Sequence, residues 1–386
     1  MKLLIISPSV QRGGVEEYML TVASEATRES WNVHAAFPQT PGTAYLIQDF
    51  AQQGVSYYPL AIDTANSSRF KALTEYLPHL TRTVSVLLHV KPDVILISLP
   101  WADYCFGVLL ACALLNIPTV VVFQLVSSRF EFTQHKINLY RWIRTRHQQW
   151  VAVSEANRQL ICDSFQILPH EVLCIFNGAK ILPVAQDQAE IERLGVQVRQ
   201  ELKLPETSQI ALTVGRLAPQ KGYSDLIPII PDLVRDFPDL QFVWVGEGEQ
   251  QNELCNNIQE AGIEDKVLLL GYRSDIPRLL HAADLFVFPT HYEGLPFALL
   301  EAMAHQLPVV ASDASSIPEI LEDKVHGRLF RSGDRYNLVE TLRWALQHPT
   351  QMQDLAQNAK LRVQEFSEER MLKETLELLK KLSGVS

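Results

Sequence analysis

Short runs of β-branched and apolar residues alternate along this chain with longer segments whose apolar positions recur at helical spacing, and no other feature limits the fold as much. Runs that stay apolar throughout are strands buried on both faces, as in a parallel sheet built from βαβ units. In the first half they fall at residues 3–6, 31–37, 55–58, 94–97, 119–123, 150–153 and 172–176. From residue 177 to 206 the periodicity weakens through Asn177-Gly178, Pro183, a Gln/Glu-rich stretch and Leu204-Pro205, which marks a domain junction. The rhythm restarts at residues 209–214, 242–245, 267–270, 285–288, 308–311 and 327–330. The expectation is an α/β chain with two doubly wound parallel-sheet domains, 1–182 and 183–365. A charged helical tail follows over 366–386, able to pack on either domain, the N-terminal one preferred. Two such domains in series leave a cleft at the carboxyl ends of their sheets, where open α/β sheets bind ligands.

Length and composition agree with two cores. The chain has 386 residues, 47% of them hydrophobic and 20% charged, against roughly 150 residues for an ordinary domain. Its five cysteines, at 105, 112, 162, 174 and 255, contain no Cys-x-x-Cys pair. That excludes a disulfide framework or a thiolate metal cluster and fits a reducing, cytoplasmic compartment. The apolar start over residues 1–7 is short, lacks a cleavage pattern and reads as a first strand. The longest apolar region, 104–115, falls short of the roughly 20 residues that a membrane-spanning helix requires. The net charge of -10 argues against a nucleic-acid partner. The acid is uneven: residues 1–182 carry 14 Lys+Arg against 13 Asp+Glu, and residues 183–386 carry 20 against 31.

Three segments carry candidate chemistry. After the first strand, Gly13-Gly14 precedes a helical pattern, so backbone N–H groups and the partial positive charge of a helix start would meet an anion at Gly14. A tight turn without a ligand is the plainer alternative, and the dinucleotide Gly-x-Gly-x-x-Gly pattern is absent here. After the first strand of the second domain, Gly215-Arg216 and then Lys221-Gly222 put two cations near one helix start, an arrangement suited to a diphosphate. Solvated surface charge is the alternative for that pair. The densest segment runs from Phe288 through Glu293-Gly294-Leu295-Pro296 to Glu301, with Pro296 suited to the first turn of a helix. Glu301 then lies among apolar residues of that helix, where a carboxylate needs hydrogen-bond donors such as a ribose diol. Glu293 precedes the helix, placed to meet sugar hydroxyls together with the amides of Gly294 and Leu295.

Taken together, the Gly-Gly loop, Gly215-Arg216 with Lys221-Gly222, Gly246-Glu247-Gly248, and Glu293-Gly-Leu-Pro with Glu301 resemble the retaining GT-B glycosyltransferases of family four, group 1. Val153-Ser154, Asn177-Gly178, the stretch from Leu307 to Asp313, and Ile317-Pro318-Glu319 extend the likeness over almost the whole chain. The resemblance implies two Rossmann-like domains, the first binding an acceptor and the second a nucleotide sugar. Arg216 and Lys221 would hold the diphosphate, Glu301 the ribose, Glu293 the transferred hexose, and Gly14 would touch phosphate from the opposite wall. No metal or other cofactor is implied, because cations and helix ends neutralise the leaving diphosphate. The donor would be a UDP- or GDP-sugar, and the acceptor a saccharide or lipid-linked glycan in polysaccharide or glycolipid assembly. A nucleotide-sugar epimerase or hydrolase on the same fold is one alternative, and a donor-binding subunit without turnover is another.

The pattern departs from the family in three places. Many relatives end the fifth strand with a histidine, whereas here Gln124 follows Phe123; glutamine orients a sugar by hydrogen bonds but carries no proton. Gln306 stands where relatives often have glycine, and Ser315-Ser316 where they have a glycine pair. His135 and His291 are near these segments in sequence and are read as structural. Finally, residues 129–146 carry five cations and one acid among aromatics, a composition suited to peripheral contact with the inner face of a membrane or to a charged acceptor. A solvated helix face is the alternative there. Acceptor choice is expected in the loops around 9–12, 40–45, 100–104 and 125–135.

Overall fold

A computed structural model describes residues 1–10, 13–62, 75–102, 104–180 and 188–384. Gln11 and Arg12 of the first candidate acceptor loop, position 103 of the third, and Pro183 of the junction lie outside the described residues. The chain divides into two compact units, Met1–Asn177 with Glu369–Ser386, and Gly178–Glu368.

The first unit is a seven-stranded, wholly parallel sheet of β1 (Lys2–Ile6), β2 (Asn32–Phe37), β3 (Ser56–Pro59), β4 (Val94–Leu99), β5 (Thr119–Phe123), β6 (Gln148–Ala152) and β7 (Val172–Cys174), in the order β3-β2-β1-β4-β5-β6-β7. Every residue of β4 and β5 is buried, which is why those runs contain no alternation: helices cover both faces. Aromatic rings fill the layer beneath β5 and β6, with Trp150 5.2 Å from Phe123 and 5.0 Å from Phe165 between ring centroids. The apolar segment near Tyr104 becomes the ten-residue helix Phe106–Leu115, mostly buried in this core. No helix among the described residues is long and apolar enough to cross a membrane.

The final helix, Glu368–Ser383, belongs largely to the first unit. Its Met371, Leu372, Thr375, Leu376 and Leu379 are buried at helical spacing. Lys380 Nζ pairs with Glu29 at 2.6 Å and lies 5.6 Å from the Trp31 ring.

The second unit is a six-stranded parallel sheet of β8 (Gln209–Val214), β9 (Leu240–Val245), β10 (Val267–Leu269), β11 (Leu285–Phe288), β12 (Val309–Ser312) and β13 (Arg328–Phe330), ordered β10-β9-β8-β11-β12-β13. Strand order reverses direction at β8 and β11, so the crevice where open α/β sheets bind ligands falls at the carboxyl ends of these two neighbours. Trp244, Tyr223 and Phe242 anchor its core.

Candidate active site

The β8/β11 crevice is built from two loops. After β8 the chain passes Gly215 and Arg216, makes a short 3-10 turn at Pro219–Lys221, and enters the helix Tyr223–Leu226 through Gly222. After β11 it runs from Pro289 to Pro296 and enters the helix Phe297–Ala304, with Pro296 one residue ahead of the helix rather than in its first turn. Because β8 and β11 are paired, with Thr213 Oγ1 donating to the Val287 carbonyl at 2.9 Å, the two loops emerge side by side.

Their side chains meet. Lys221 Nζ donates to Glu293 Oε1 at 2.6 Å, and the two side chains are 16% and 6% exposed. Glu293 also accepts from Thr290 Oγ1 at 2.7 Å and from Gln220 Nε2 at 3.3 Å. Gln220 Nε2 reaches the Tyr292 carbonyl at 2.8 Å as well, and the His291 amide donates to the Gln220 carbonyl at 2.8 Å. A buried carboxylate is tolerated only when its lone pairs are met. Here two neutral donors hold Glu293 independently of the lysine, so the ammonium can leave without orphaning the carboxylate. The Lys221 ammonium also lies 5.2 Å from the Phe288 ring, a second site for its charge.

Gly222 makes this approach possible. Its φ is +70°, and a Cβ there would stand 1.9 Å from the Pro289 carbonyl oxygen. We expect Gly222→Ala to destabilise the second unit by about 1–3 kcal/mol through left-handed strain and loop displacement, read by denaturant unfolding. A change below about 0.5 kcal/mol, the range of an ordinary surface substitution, would mean that the loops yield freely.

Arg216 is more open: its guanidinium lies 4.0 Å from Glu249 and the side chain is 39% exposed. Burial raises the Tyr292 phenol pKa, partly opposed by the nearby Arg216 charge, so this hydroxyl stays protonated at neutral pH. Gly294 and Leu295 are buried directly after Glu293. Glu301 is half-buried within its helix, and its carbonyl accepts from the His305 amide at 3.0 Å. The structure thus brings Lys221 and Glu293 into contact and sets Arg216 at the open side of the same pair of loops. His291 points elsewhere, with Nε2 3.3 Å from Asp225.

In the first unit, Gly14 opens the helix Gly14–Arg28, with Glu16 and Glu17 in its first turn. Those acids already complement the partial charge of that helix start, and Glu16 is buried. Gln124, at the end of β5, is buried; its Nε2 donates to Ser98 Oγ at 3.3 Å and its Oε1 accepts from Asn177 Nδ2 at 3.2 Å. In the helix Gln134–Arg144, His135 is exposed, Ile137, Tyr140 and Ile143 are buried, and Leu139 and Trp142 are exposed. Three of the segment's cations are engaged inside the unit: Lys136 beside the Phe132 ring, Arg144 with Glu171, and Arg146 over Trp142.

Gln220 and Thr290 are site residues that motif reading missed. Thr290, three positions before Glu293 in a loop, had a local signal, since a threonine hydroxyl readily bonds within a turn. Gln220 had none, because its partner comes from the neighbouring strand's loop.

The fold has close counterparts among solved glycosyltransferases. One from Rickettsia africae superposes with a TM-score of 0.81 at 17% identity, covering 100% of this chain and 99% of that one. HepE from Anabaena, solved with UDP-glucose, gives a TM-score of 0.80 at 22% identity over 99% of this chain and 100% of that one. These define the class, a GT-B fold of two parallel-sheet α/β domains. The model of the glycosyl transferases group 1 matches residues 197–362 and that of glycosyltransferase family 4 matches residues 12–181; the chain belongs to this family. Among curated relatives, the UDP-Gal:alpha-D-GlcNAc-diphosphoundecaprenol alpha-1,3-galactosyltransferase of Escherichia coli is 28% identical over 60% of this chain and 61% of its own. The alpha-D-kanosaminyltransferase of Streptomyces kanamyceticus is 29% identical over 64% of this chain and 66% of its own. The matches therefore span about two thirds or less of those relatives' length.

Proposed function

We propose that this protein is a retaining hexosyltransferase, moving a sugar from a UDP- or GDP-linked donor to a saccharide or lipid-linked acceptor in polysaccharide or glycolipid assembly. The observation that carries the reading is the Lys221–Glu293 pair at the carboxyl ends of β8 and β11, with Gln220 and Thr290 holding the carboxylate. A donor diphosphate would draw the ammonium of Lys221 off Glu293 and share it with Arg216. Glu293, still held by its two neutral donors, would then accept from hexose hydroxyls, with the amides of Gly294 and Leu295 beside it. Glu301 would bind the ribose, Gly14 would meet phosphate, and Gln124 would turn its remaining amide hydrogen to the sugar.

Chemically, the sugar–phosphate bond breaks toward an oxocarbenium-like state, and negative charge grows on the diphosphate where the two cations stand. In this reading Arg216 and Lys221 take the place of a metal, so turnover should survive EDTA. The activities for which the relatives are named, a UDP-Gal donor and a diphosphoundecaprenol-linked acceptor in one case, support the donor and acceptor classes. Leu139 and Trp142, exposed beside Arg141, would rest on the cytoplasmic face of a membrane that carries such an acceptor.

Calorimetry with UDP-, GDP-, ADP- and dTDP-sugars tests the reading. One donor should bind, Glu301→Ala should weaken it by about tenfold or more, corresponding to a charge-assisted bond of roughly 1.5–3 kcal/mol, and NMR of the product should show the donor's anomeric configuration. An isomerised or merely hydrolysed donor, or no binding at millimolar concentration, would refute it.

A further inference from the structure

A cavity of about 380 Å³ lies at the amino end of the second unit's sheet, opposite the Lys221–Glu293 end. It is reached past the starts of β8 and β11; Ile210, Leu280, Leu285, Leu307 and Met352, all buried, form its apolar floor, while polar atoms make up the larger share of the surface it exposes. Three basic side chains line it. The rings of His281 and His305 meet edge to face with centroids 4.8 Å apart, and Lys360 lies on the same wall. The single acid in the lining, Asp284, is already taken by Arg199 Nη2 at 2.9 Å and the Ile210 amide at 2.7 Å. Lys360 has no carboxylate partner among the described residues; its ammonium reaches only Gln306 Oε1, at 3.4 Å.

Gln306 follows the helix Phe297–Ala304, and its backbone shows why this residue matters to the cavity. The helix Phe297–Ala304 ends in a Schellman motif, with the Leu307 amide bonded to the Ala302 carbonyl and the Gln306 amide to that of Met303. The left-handed position of that motif favours glycine, yet here Gln306 occupies it with φ +56°. The strain retains an amide that tethers Lys360 at the cavity rim. One residue earlier, the His305 ring Nδ1 lies 2.8 Å from the Glu301 carbonyl, which requires the proton on Nδ1 and turns Nε2 away from the helix end.

We propose that this cavity binds a small amphipathic monoanion, a carboxylate on a short apolar body, with Lys360 and His281 meeting the head group and the leucine-rich wall the body. The charge count favours one negative charge: burial, His305 and Lys360 push the His281 pKa down to about 4, and burial lowers that of His305. At neutral pH the site therefore offers a single formal cation and one free imidazole N–H, that of His281, since the His305 proton is held by the Glu301 carbonyl. Groups facing His281 are His305 at the end of its helix, Lys360 from the helix Pro349–Arg362, and the Asp284–Arg199 pair. An anion seated there opposes the positive surroundings and raises the His281 pKa.

Octanoate titrated into the full chain, followed by calorimetry and by the histidine C2–H signals, tests this. One octanoate should bind per chain and the His281 titration should move to higher pH. Lys360→Met should weaken binding at least tenfold and Lys360→Arg should restore most of it. Gln306→Gly, which relieves the backbone and so keeps the fold, should weaken it several-fold. The proposal fails if 1-octanol or inorganic phosphate binds as tightly as octanoate, if Lys360→Met binds octanoate like the wild type, or if no saturable binding occurs. None of these readouts uses a donor sugar, so they stand apart from the transferase assay.

Discussion

Lys221→Ala should lower turnover at saturating donor by about 100-fold or more, equivalent to the roughly 2.7–4 kcal/mol that one preorganised charge-stabilising donor contributes in a transition state. The ammonium is positioned by geometry that the substitution leaves in place: the 3-10 turn, Gly222 and the paired strands remain. Removing it also leaves Glu293 buried with two neutral donors instead of three partners, so some stability is lost as well. Thermal unfolding of the variant, with turnover measured well below its midpoint, separates the two effects. Wild-type turnover in Lys221→Ala would remove the diphosphate role from this residue.

Trp150→Ala should have the largest effect on stability, about 3–5 kcal/mol on the first unit. Its ring is fully buried on β6, among Phe123, Tyr140 and Phe165. One term works the other way: the indole Nε1 is buried without a hydrogen-bond partner, so part of the lost packing is offset by removing an unmet donor. Trp150→Phe, which deletes that N–H and keeps an aromatic ring, should therefore cost much less. Urea unfolding followed by near-ultraviolet circular dichroism would check both, with the two units allowed separate transitions. A loss below about 1 kcal/mol in Trp150→Ala, the centre of the range for ordinary substitutions, would mean that this aromatic layer collapses around the gap.

The strands were readable in the sequence because helices cover both faces of both sheets, which leaves runs such as residues 94–97 apolar without interruption. Strand ends differ from the sequence expectation by a residue or two, as at β6, which begins at Gln148 rather than at residue 150. Lys221 and Glu293 were each legible from the residues around them, but their contact was not. It depends on β8 pairing with β11 instead of with a sequence neighbour alone, a fact of sheet order. The commitment of Gln124 to Ser98 and Asn177 was equally hidden, since one partner lies within β4 and the other follows β7. Gln306 was visible only as a departure; the left-handed backbone and the tethered lysine that give it meaning are properties of the folded helix end.

The last helix, Glu368–Ser383, completes the unit that the first residues begin. During synthesis the N-terminal sheet must therefore wait, with Trp31 and Tyr18, whose hydroxyl faces Thr375 of that helix, uncovered, until every residue of the other unit has left the ribosome. A nascent chain stalled before Met371 would carry a sticky seam and be a natural client for chaperones, and trimming the carboxyl terminus should harm the beginning of the protein more than its end.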